Sequence, residues 1–245
     1  MNAQLSGIWS LISDQISSNP ITRKKILANH ESMHFDRTPG AAILNGKRIA
    51  FLGSSVTKGF KSHHVSFVDI LASNDGISPV KEAISGTTLA GSSRTTYLNR
   101  LINNIDTQIP LDAFVLQLST NDGSQHKPLG QIAATYDTVA FNTATTLGAM
   151  EAIFRYVHDH WDCPVLVYTC VNPRHPEYAK LVQSGYELQK KWKFRILDLY
   201  NDESLNSKMT DLQNGYLNSD LLHPTIKGNH LLAPLFEKQL IQMLK

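Results

Sequence analysis

The strongest constraint in this sequence is an alternation. From Asn45-Gly46 onward, short apolar runs alternate with longer stretches whose apolar residues recur at helical spacing. The short runs are Arg48–Leu52, Val80–Ile84, Ala113–Leu118, Val165–Thr169 and Arg195–Leu199. The helical stretches are Ser66–Ser73, Thr95–Ile105, Thr145–His160, Pro176–Lys191 and Thr225–Leu244. Leu98, Leu101, Ile102 and Ile105, for example, line one face of the second. Strands joined through helices run parallel, and a parallel sheet is covered on both faces. The pattern therefore predicts an α/β fold, a five-stranded parallel sheet inside a three-layer α/β/α sandwich. A chain of 245 residues suits one large domain of this kind. That domain is expected over residues 46–245. Residues 122–144 show no clear period and are expected to form a long loop beside the site.

Residues 1–45 read as an N-terminal helical extension. Leu5, Ile8, Trp9, Ile12 and Ile16 mark an amphipathic helix over residues 4–17, ended by Asn19-Pro20. It is expected to pack on the core or to serve a homo-oligomer contact. This region carries no basic segment followed by an unbroken apolar core, so it does not read as a signal peptide. No run in the chain reaches the length of a membrane span. A net charge of +2 gives no reason to expect nucleic acid as a partner. The two cysteines, Cys163 and Cys170, flank a predicted strand. About 3.3 Å per residue would hold them roughly 23 Å apart, too far to pair. A cytoplasmic location is the expectation.

His30-Glu31-Ser32-Met33-His34 matches the H-E-x-x-H zinc pattern. A zinc site needs a third ligand on a following element, whereas Thr38-Pro39-Gly40 stops any helix here. A zinc-dependent hydrolase is therefore an alternative, and a polar surface turn is the preferred reading. No metal or cofactor is expected.

In open parallel sheets, ligands bind beyond the carboxyl ends of the strands. The residues there are Gly53-Ser54-Ser55 after the first strand and Ser85-Gly86 after the second. Ser119-Thr120-Asn121-Asp122 follow the third, and Asp220-Leu221-Leu222-His223 precede the last helix. This set supplies what acyl transfer requires. Ser55 is the candidate nucleophile and His223 the general base. Asp220 would orient the imidazole and stabilise its charged form. The N–H groups of Ser55 and Gly86 and the side-chain amide of Asn121 would bind the oxyanion. Each residue also has a plainer use: Ser55 as a helix cap, Asn121-Asp122-Gly123 as a turn, His223-Pro224 as a helix entrance. Their joint occurrence at one predicted rim is the argument.

In that order, the four blocks resemble those of the SGNH hydrolase superfamily, also called GDSL esterases and lipases. The family's Gly-Asp-Ser block corresponds to Gly53-Ser54-Ser55, and its glycine block to Gly86. Its Gly-x-Asn-Asp block corresponds to residues 119–122, and its Asp-x-x-His block to residues 220–223. Strand position alone does not choose between Ser54 and Ser55; the block match selects Ser55. The resemblance implies a flavodoxin-like sandwich that hydrolyses esters or thioesters without a cofactor. Two positions depart from the pattern: Ser54 stands in place of aspartate and Ser119 in place of glycine. The loop Val171-Asn172-Pro173-Arg174 is a further candidate for lining the pocket.

Gly53–Gly59 approaches a phosphate-binding loop, but its glycine spacing is wrong and Phe60 follows. Thr57 stands where the G-x-S-x-G elbow needs its second glycine, which argues against the other large serine esterase fold. A non-enzymatic ligand-binding protein on the same fold is the remaining alternative. As substrate, O-acetyl groups on carbohydrate lead, followed by other small esters or thioesters.

Overall fold

The two most apolar runs become the two inner strands on either side of the sheet's switch point. These are β1 (Arg48–Gly53) and β3 (Ala113–Gln117), each buried almost throughout. The structure, a computed structural model, describes residues 35–171 and 175–245. With β2 (Ser78–Ala83), β4 (Val165–Tyr168) and β5 (Arg195–Leu197) they form one sheet in the order β2-β1-β3-β4-β5. Every pairing is parallel. This is the doubly wound order whose direction reverses between β1 and β3, and a crevice opens at that reversal.

The edges are blunt, as exposed strand edges need to be. β2 carries Pro79, tolerated because an edge strand has a side without a ladder partner. β5 is only three residues long and begins with exposed Arg195. Helices α1 (Ser55–Lys58), α2 (Phe67–Asp75), α3 (Tyr97–Asn104) and α4 (Thr120–Ser124) follow the first three strands. Helices α5 (Thr146–His160), α6 (Pro176–Trp192), α7 (Glu203–Thr210) and α8 (Ile226–Leu244) complete the layers. On one face Phe67 of α2 stacks on Phe236 of α8, with ring centroids 3.7 Å apart. Tyr168 of β4 meets both rings edge-on. The described part of the N-terminal region joins this face through a 3₁₀ turn, Ala41–Leu44, whose Leu44 is fully buried.

Several boundaries differ from the sequence reading for local reasons. Helix α3 begins at Tyr97 rather than Thr95 because Thr96 takes an extended conformation before it. Ile102, assigned to the buried face, is exposed. β2 starts two residues earlier than expected, since Pro79 does not end an edge strand. Helix α7, which the sequence reading missed, is capped by Asp202 accepting from Leu205 N–H. The 122–144 segment is long and mostly irregular, but it is anchored near its start and at its middle. Gln125 donates to Gly86 O at 2.8 Å, while Ala133 N–H donates to the buried carboxylate of Glu151 at 2.7 Å. Near its far end Thr143 O accepts from Gly91 N–H at 2.8 Å, so the segment lies against the loop after β2 at both its start and its end. The expected helix over residues 4–17 lies outside the described residues.

Two buried carboxyls meet where α2 ends against α8. Asp75 and Glu237 are both shielded from water. Burial first, and the neighbouring Glu237 second, push Asp75 up to about 6, against hydrogen bonds from Arg37 and Asn74. A carboxyl raised in this way holds its proton more firmly folded than unfolded. Its contribution to stability is complete below about pH 4 and is lost as the pH rises through about 6. Asp75→Asn should therefore raise unfolding stability at pH 7.5 by roughly 1–2 kcal/mol. The difference should vanish at pH 4 in urea titrations. An equal gap at both pH values would contradict this origin.

Candidate active site

Gly53 ends β1 because nothing larger fits there. A Cβ at this position would lie 1.8 Å from Thr57 Oγ1 and 2.8 Å from Gln117 Oε1. Those two atoms belong to a buried polar network behind the turn. Gln117 Oε1 accepts from Ser54 N–H at 2.8 Å and from the Thr57 hydroxyl at 2.7 Å. Gln117 Nε2 donates to Ser54 Oγ at 3.1 Å. Ser54 is fully buried and faces this network. A serine in the aspartate's place is thus satisfied by the glutamine of β3. Ser55, the next residue, opens the single turn α1 and faces the opposite way.

The second loop holds Gly86 at φ +78, a left-handed conformation that favours glycine. A Cβ there would meet nothing within 4 Å, so the space in front of this backbone is open. The next residue receives Asn121: its Nδ2 donates to Thr87 O at 2.9 Å. A carboxamide has two N–H donors, so one is left to point elsewhere. Ser119 caps the turn that bears Asn121, accepting from Asn121 N–H at 3.2 Å. Its hydroxyl accounts for the second departure from the family pattern.

Asp122 ties these two loops together. Its two oxygens accept from Leu89 N–H at 2.8 Å and Ala90 N–H at 2.9 Å, and Oδ1 also accepts from the Thr146 hydroxyl at 3.0 Å. Burial pushes the Asp122 carboxyl upward, and these hydrogen bonds only partly offset it. Beside Gly86 a cleft of about 410 Å³ opens, lined by Thr87, Thr88, Ser92, Ser93 and Lys127.

The loop before α8 is a tight hairpin-like turn. Leu217 and Pro224 form an isolated antiparallel bridge, and Asn218 donates to His223 O through both N and Nδ2 at 2.9 Å. Leu221 sits in the left-handed region at φ +56. This geometry folds Asp220 back on His223. Asp220 Oδ1 accepts from the N–H groups of Leu222 and His223, and Oδ2 faces His223 Nδ1 at 2.9 Å. His223 Nε2 faces Ser55 Oγ at 2.8 Å, across 168 residues of sequence. Burial alone would raise the Asp220 carboxyl. The His223 N–H, the Lys61 ammonium, the His223 ring and the Leu222 N–H outweigh it and hold the group well below the usual carboxylate range. Asp220 therefore stays ionised wherever the protein is folded at ordinary pH.

Three of the sequence-selected residues, Ser55, His223 and Asp220, thus lie in one hydrogen-bonded line. Gly86 and Asn121 stand together through Thr87 on the loops that follow β2 and β3. Sequence reasoning missed Gln117, whose only signal was a polar residue inside the most apolar strand. It also missed Lys61 and Phe60, both next to the pair: Lys61 Nζ lies 2.6 Å from Asp220 Oδ2, and the Phe60 ring meets the His223 ring edge-on at 5.0 Å. Nothing local in the sequence marks them. His30, Glu31 and His34, and the loop residues 172–174, lie outside the described residues. Among the described residues no group of histidine, cysteine, aspartate and glutamate could hold a metal ion.

A family model described as GDSL-like Lipase/Acylhydrolase matches residues 49–236. Among solved structures, a protein from Lactobacillus plantarum is 21% identical, with a TM-score of 0.66 over 81% of this chain and 98% of its own. A Bacteroides ovatus protein described as a GDSL-like lipase is 15% identical, with a TM-score of 0.60 over 81% and 99%. A family two carbohydrate esterase from Clostridium thermocellum, solved with cellohexaose, is 16% identical, with a TM-score of 0.57 over 81% and 64%. At these identities the likeness is one of fold. No curated protein matches the chain.

The bidentate role of Asp122 can be tested directly. A carboxamide accepts through one atom only, so Asp122→Asn leaves one of the two N–H donors facing another donor. Stability should fall by about 1–3 kcal/mol in urea unfolding. Ester turnover should fall roughly 10-fold through the displaced Gly86–Ala90 loop. Wild-type stability and turnover together would show that Asp122 does not hold this loop.

Proposed function

The chain belongs to the GDSL-like lipase/acylhydrolase family and is a carboxylic ester hydrolase; from that premise we propose that it works as a serine esterase with Ser55 as nucleophile. The observation that carries the reading is the unbroken line from Ser55 Oγ to His223 Nε2 at 2.8 Å and from His223 Nδ1 to Asp220 Oδ2 at 2.9 Å. Ionised Asp220 accepts a hydrogen bond and so sets the tautomer: Nδ1 carries the proton and Nε2 accepts from the Ser55 hydroxyl. Ser55 Oγ attacks the ester carbonyl carbon while its proton passes to Nε2. The imidazolium formed is stabilised by Asp220.

The carbonyl oxygen becomes an oxyanion. The N–H of Ser55, at the first position of a helical turn, has no partner within the helix. With the N–H of Gly86 and the remaining N–H of Asn121 it forms the oxyanion hole. Removal of one such donor costs about 2.7–4 kcal/mol in turnover in a well-studied serine protease. Collapse expels the alcohol, which takes the proton from His223, and leaves Ser55 acylated. Water, deprotonated by His223, then releases the acid and restores Ser55. No metal or organic cofactor enters these steps.

For substrate, the favoured class is a short acyl group, acetyl first, on a hydroxyl-rich alcohol such as a carbohydrate. The cleft beside Gly86 supports this: six hydroxyl-bearing residues, Thr87, Thr88, Ser92, Ser93, Thr95 and Thr96, are among those that line it. Small esters or thioesters of other alcohols and thiols are the second class. The free thiols of Cys163 and Cys170 are compatible with a reducing compartment, and the cytoplasm is the proposed location. No helix of the described residues is long and apolar enough to cross a membrane.

With p-nitrophenyl acetate, Ser55→Ala should lower kcat by at least about 1,000-fold without unfolding the protein. Ser54→Ala should cost far less, roughly 10-fold or under, because the Ser54 hydroxyl lies in the buried network behind the turn, where it accepts from Gln117. Equal abolition by both would overturn the assignment of the nucleophile. A series of acyl chains should favour acetyl; preference for long chains would remove the short-acyl class.

A further inference from the structure

The stretch between α1 and α2 has no role in the steps above, yet it touches the Asp220–His223 pair twice. Phe60 sets its ring edge-on to the imidazole at 5.0 Å. Lys61 brings its ammonium to 2.6 Å from Asp220 Oδ2, the oxygen that also serves His223 Nδ1 at 2.9 Å. Lys61 stands at φ +61, His63 at φ +54 and His64 at φ +59. Three non-glycine residues out of four in the left-handed region are costly, and such strain persists only where the surroundings fix it. They do so here. Ser62 Oγ lies between two carbonyl oxygens, 2.9 Å from Gly59 O and 2.7 Å from Val65 O, and shares its one proton with them, and His64 N–H donates to Gly59 O at 3.0 Å. Asn229 of α8 reaches Ser62 Oγ at 3.4 Å, and Lys81 of β2 reaches His64 O at 3.2 Å. The backbone is thus held in an unfavourable shape whose visible product is an ammonium on the catalytic carboxylate.

We propose that Lys61 is a positioning residue of this site: it shares the Asp220 carboxylate with His223 and so keeps the imidazole a free base to lower pH. This rests on the esterase reading above. When His223 accepts the proton of Ser55, its positive charge forms beside Asp220, whose charge Lys61 already partly neutralises. The imidazolium is therefore less stabilised than it would be beside an unshared carboxylate. In acid the same competition keeps the base unprotonated and active. Of the groups contacting the pair, Asp220 and Lys61 carry charge, while Ser55 and Phe60 do not. The other titratable groups of the stretch are Lys58, His63 and His64. From α8, Lys227 is turned to Asn214 O at 2.8 Å.

The test compares wild type, Lys61→Met and Lys61→Arg. In Lys61→Met, the acid-side midpoint of kcat/KM for p-nitrophenyl acetate should move up by roughly 0.3–1 pH unit, a size set by a part-exposed charge. KM should change little, because Lys61 faces Asp220 and not the ester. Lys61→Arg should restore the wild-type midpoint. Raising the salt to about 1 M, where charges are screened within about 3 Å, should shrink the difference. A purely structural role would lower kcat equally at all pH values and would not respond to salt.

The imidazole of His223 can also be titrated by ¹⁵N NMR, which does not depend on turnover. An upward shift of its midpoint in Lys61→Met supports the proposal even if no ester is hydrolysed, in which case only the esterase reading fails. Unchanged midpoints in both kinetics and NMR would overturn the role of Lys61 and leave that reading intact.

Discussion

A guanidinium with almost no access to water governs the rim on which this site is built. Arg100 of α3 is 1% exposed, and a buried charge is tolerated only where its donors are all engaged. Its Nη2 donates to Gly53 O at 2.8 Å and to Thr87 Oγ1 at 3.2 Å. Its Nη1 donates to Glu82 O at 3.0 Å and Glu82 Oε1 at 3.1 Å, and Nε to Thr95 O at 2.9 Å. One side chain thereby locks the end of β1, the end of β2 and the glycine loop at fixed separations. The turn that bears Ser55 and the Gly86 loop are consequently set relative to each other before any ligand arrives. Precise placement of this kind is where much of the advantage of an enzyme over solution chemistry originates.

Gln117 and Asp122 extend the same logic across the switch point between β1 and β3. Gln117 reaches sideways to the turn of Ser54 and Thr57, and Thr57 passes the chain on to Tyr168 of β4 at 2.6 Å. Asp122 reaches in the other direction to Leu89 and Ala90. The hydrogen-bonded line of Ser55, His223 and Asp220 closes the assembly from the far end of the chain. Its loop is held by Asn218 and by the bridge between Leu217 and Pro224. Buried polar groups that are fully satisfied rigidify a site, and nearly all of those behind Ser55 are satisfied. Ser85 Oγ, on the loop after β2, is buried without a hydrogen-bond partner.

The alternation of strands and helices and the order of the four blocks were legible in the sequence, because both are local patterns. Burial on both faces makes β1 and β3 almost wholly apolar, and a parallel sheet makes its strand ends the place to look. Arg100 and Lys61 were not legible. Each acts through side-chain atoms on residues far away in sequence, and the helical pattern treats Arg100 as one more polar position. Ser54 and Ser119 read as departures from a motif until their partners were in view; Gln117 and the Asn121 turn then give each hydroxyl a use. Ile102 misled for the opposite reason. A helix of eight residues has too few turns for spacing alone to fix which apolar residue faces solvent.

The proposed mechanism requires one event above all, acylation of Ser55 Oγ. A fluorophosphonate is attacked by an activated serine and remains attached, so intact mass followed by peptide mapping reads the site directly. A single adduct per chain is expected, on Ser55, lost when His223 is replaced by alanine although Ser55 is still present. An active protein that carries its adduct on Ser54 or elsewhere, or labels equally well without His223, would contradict it.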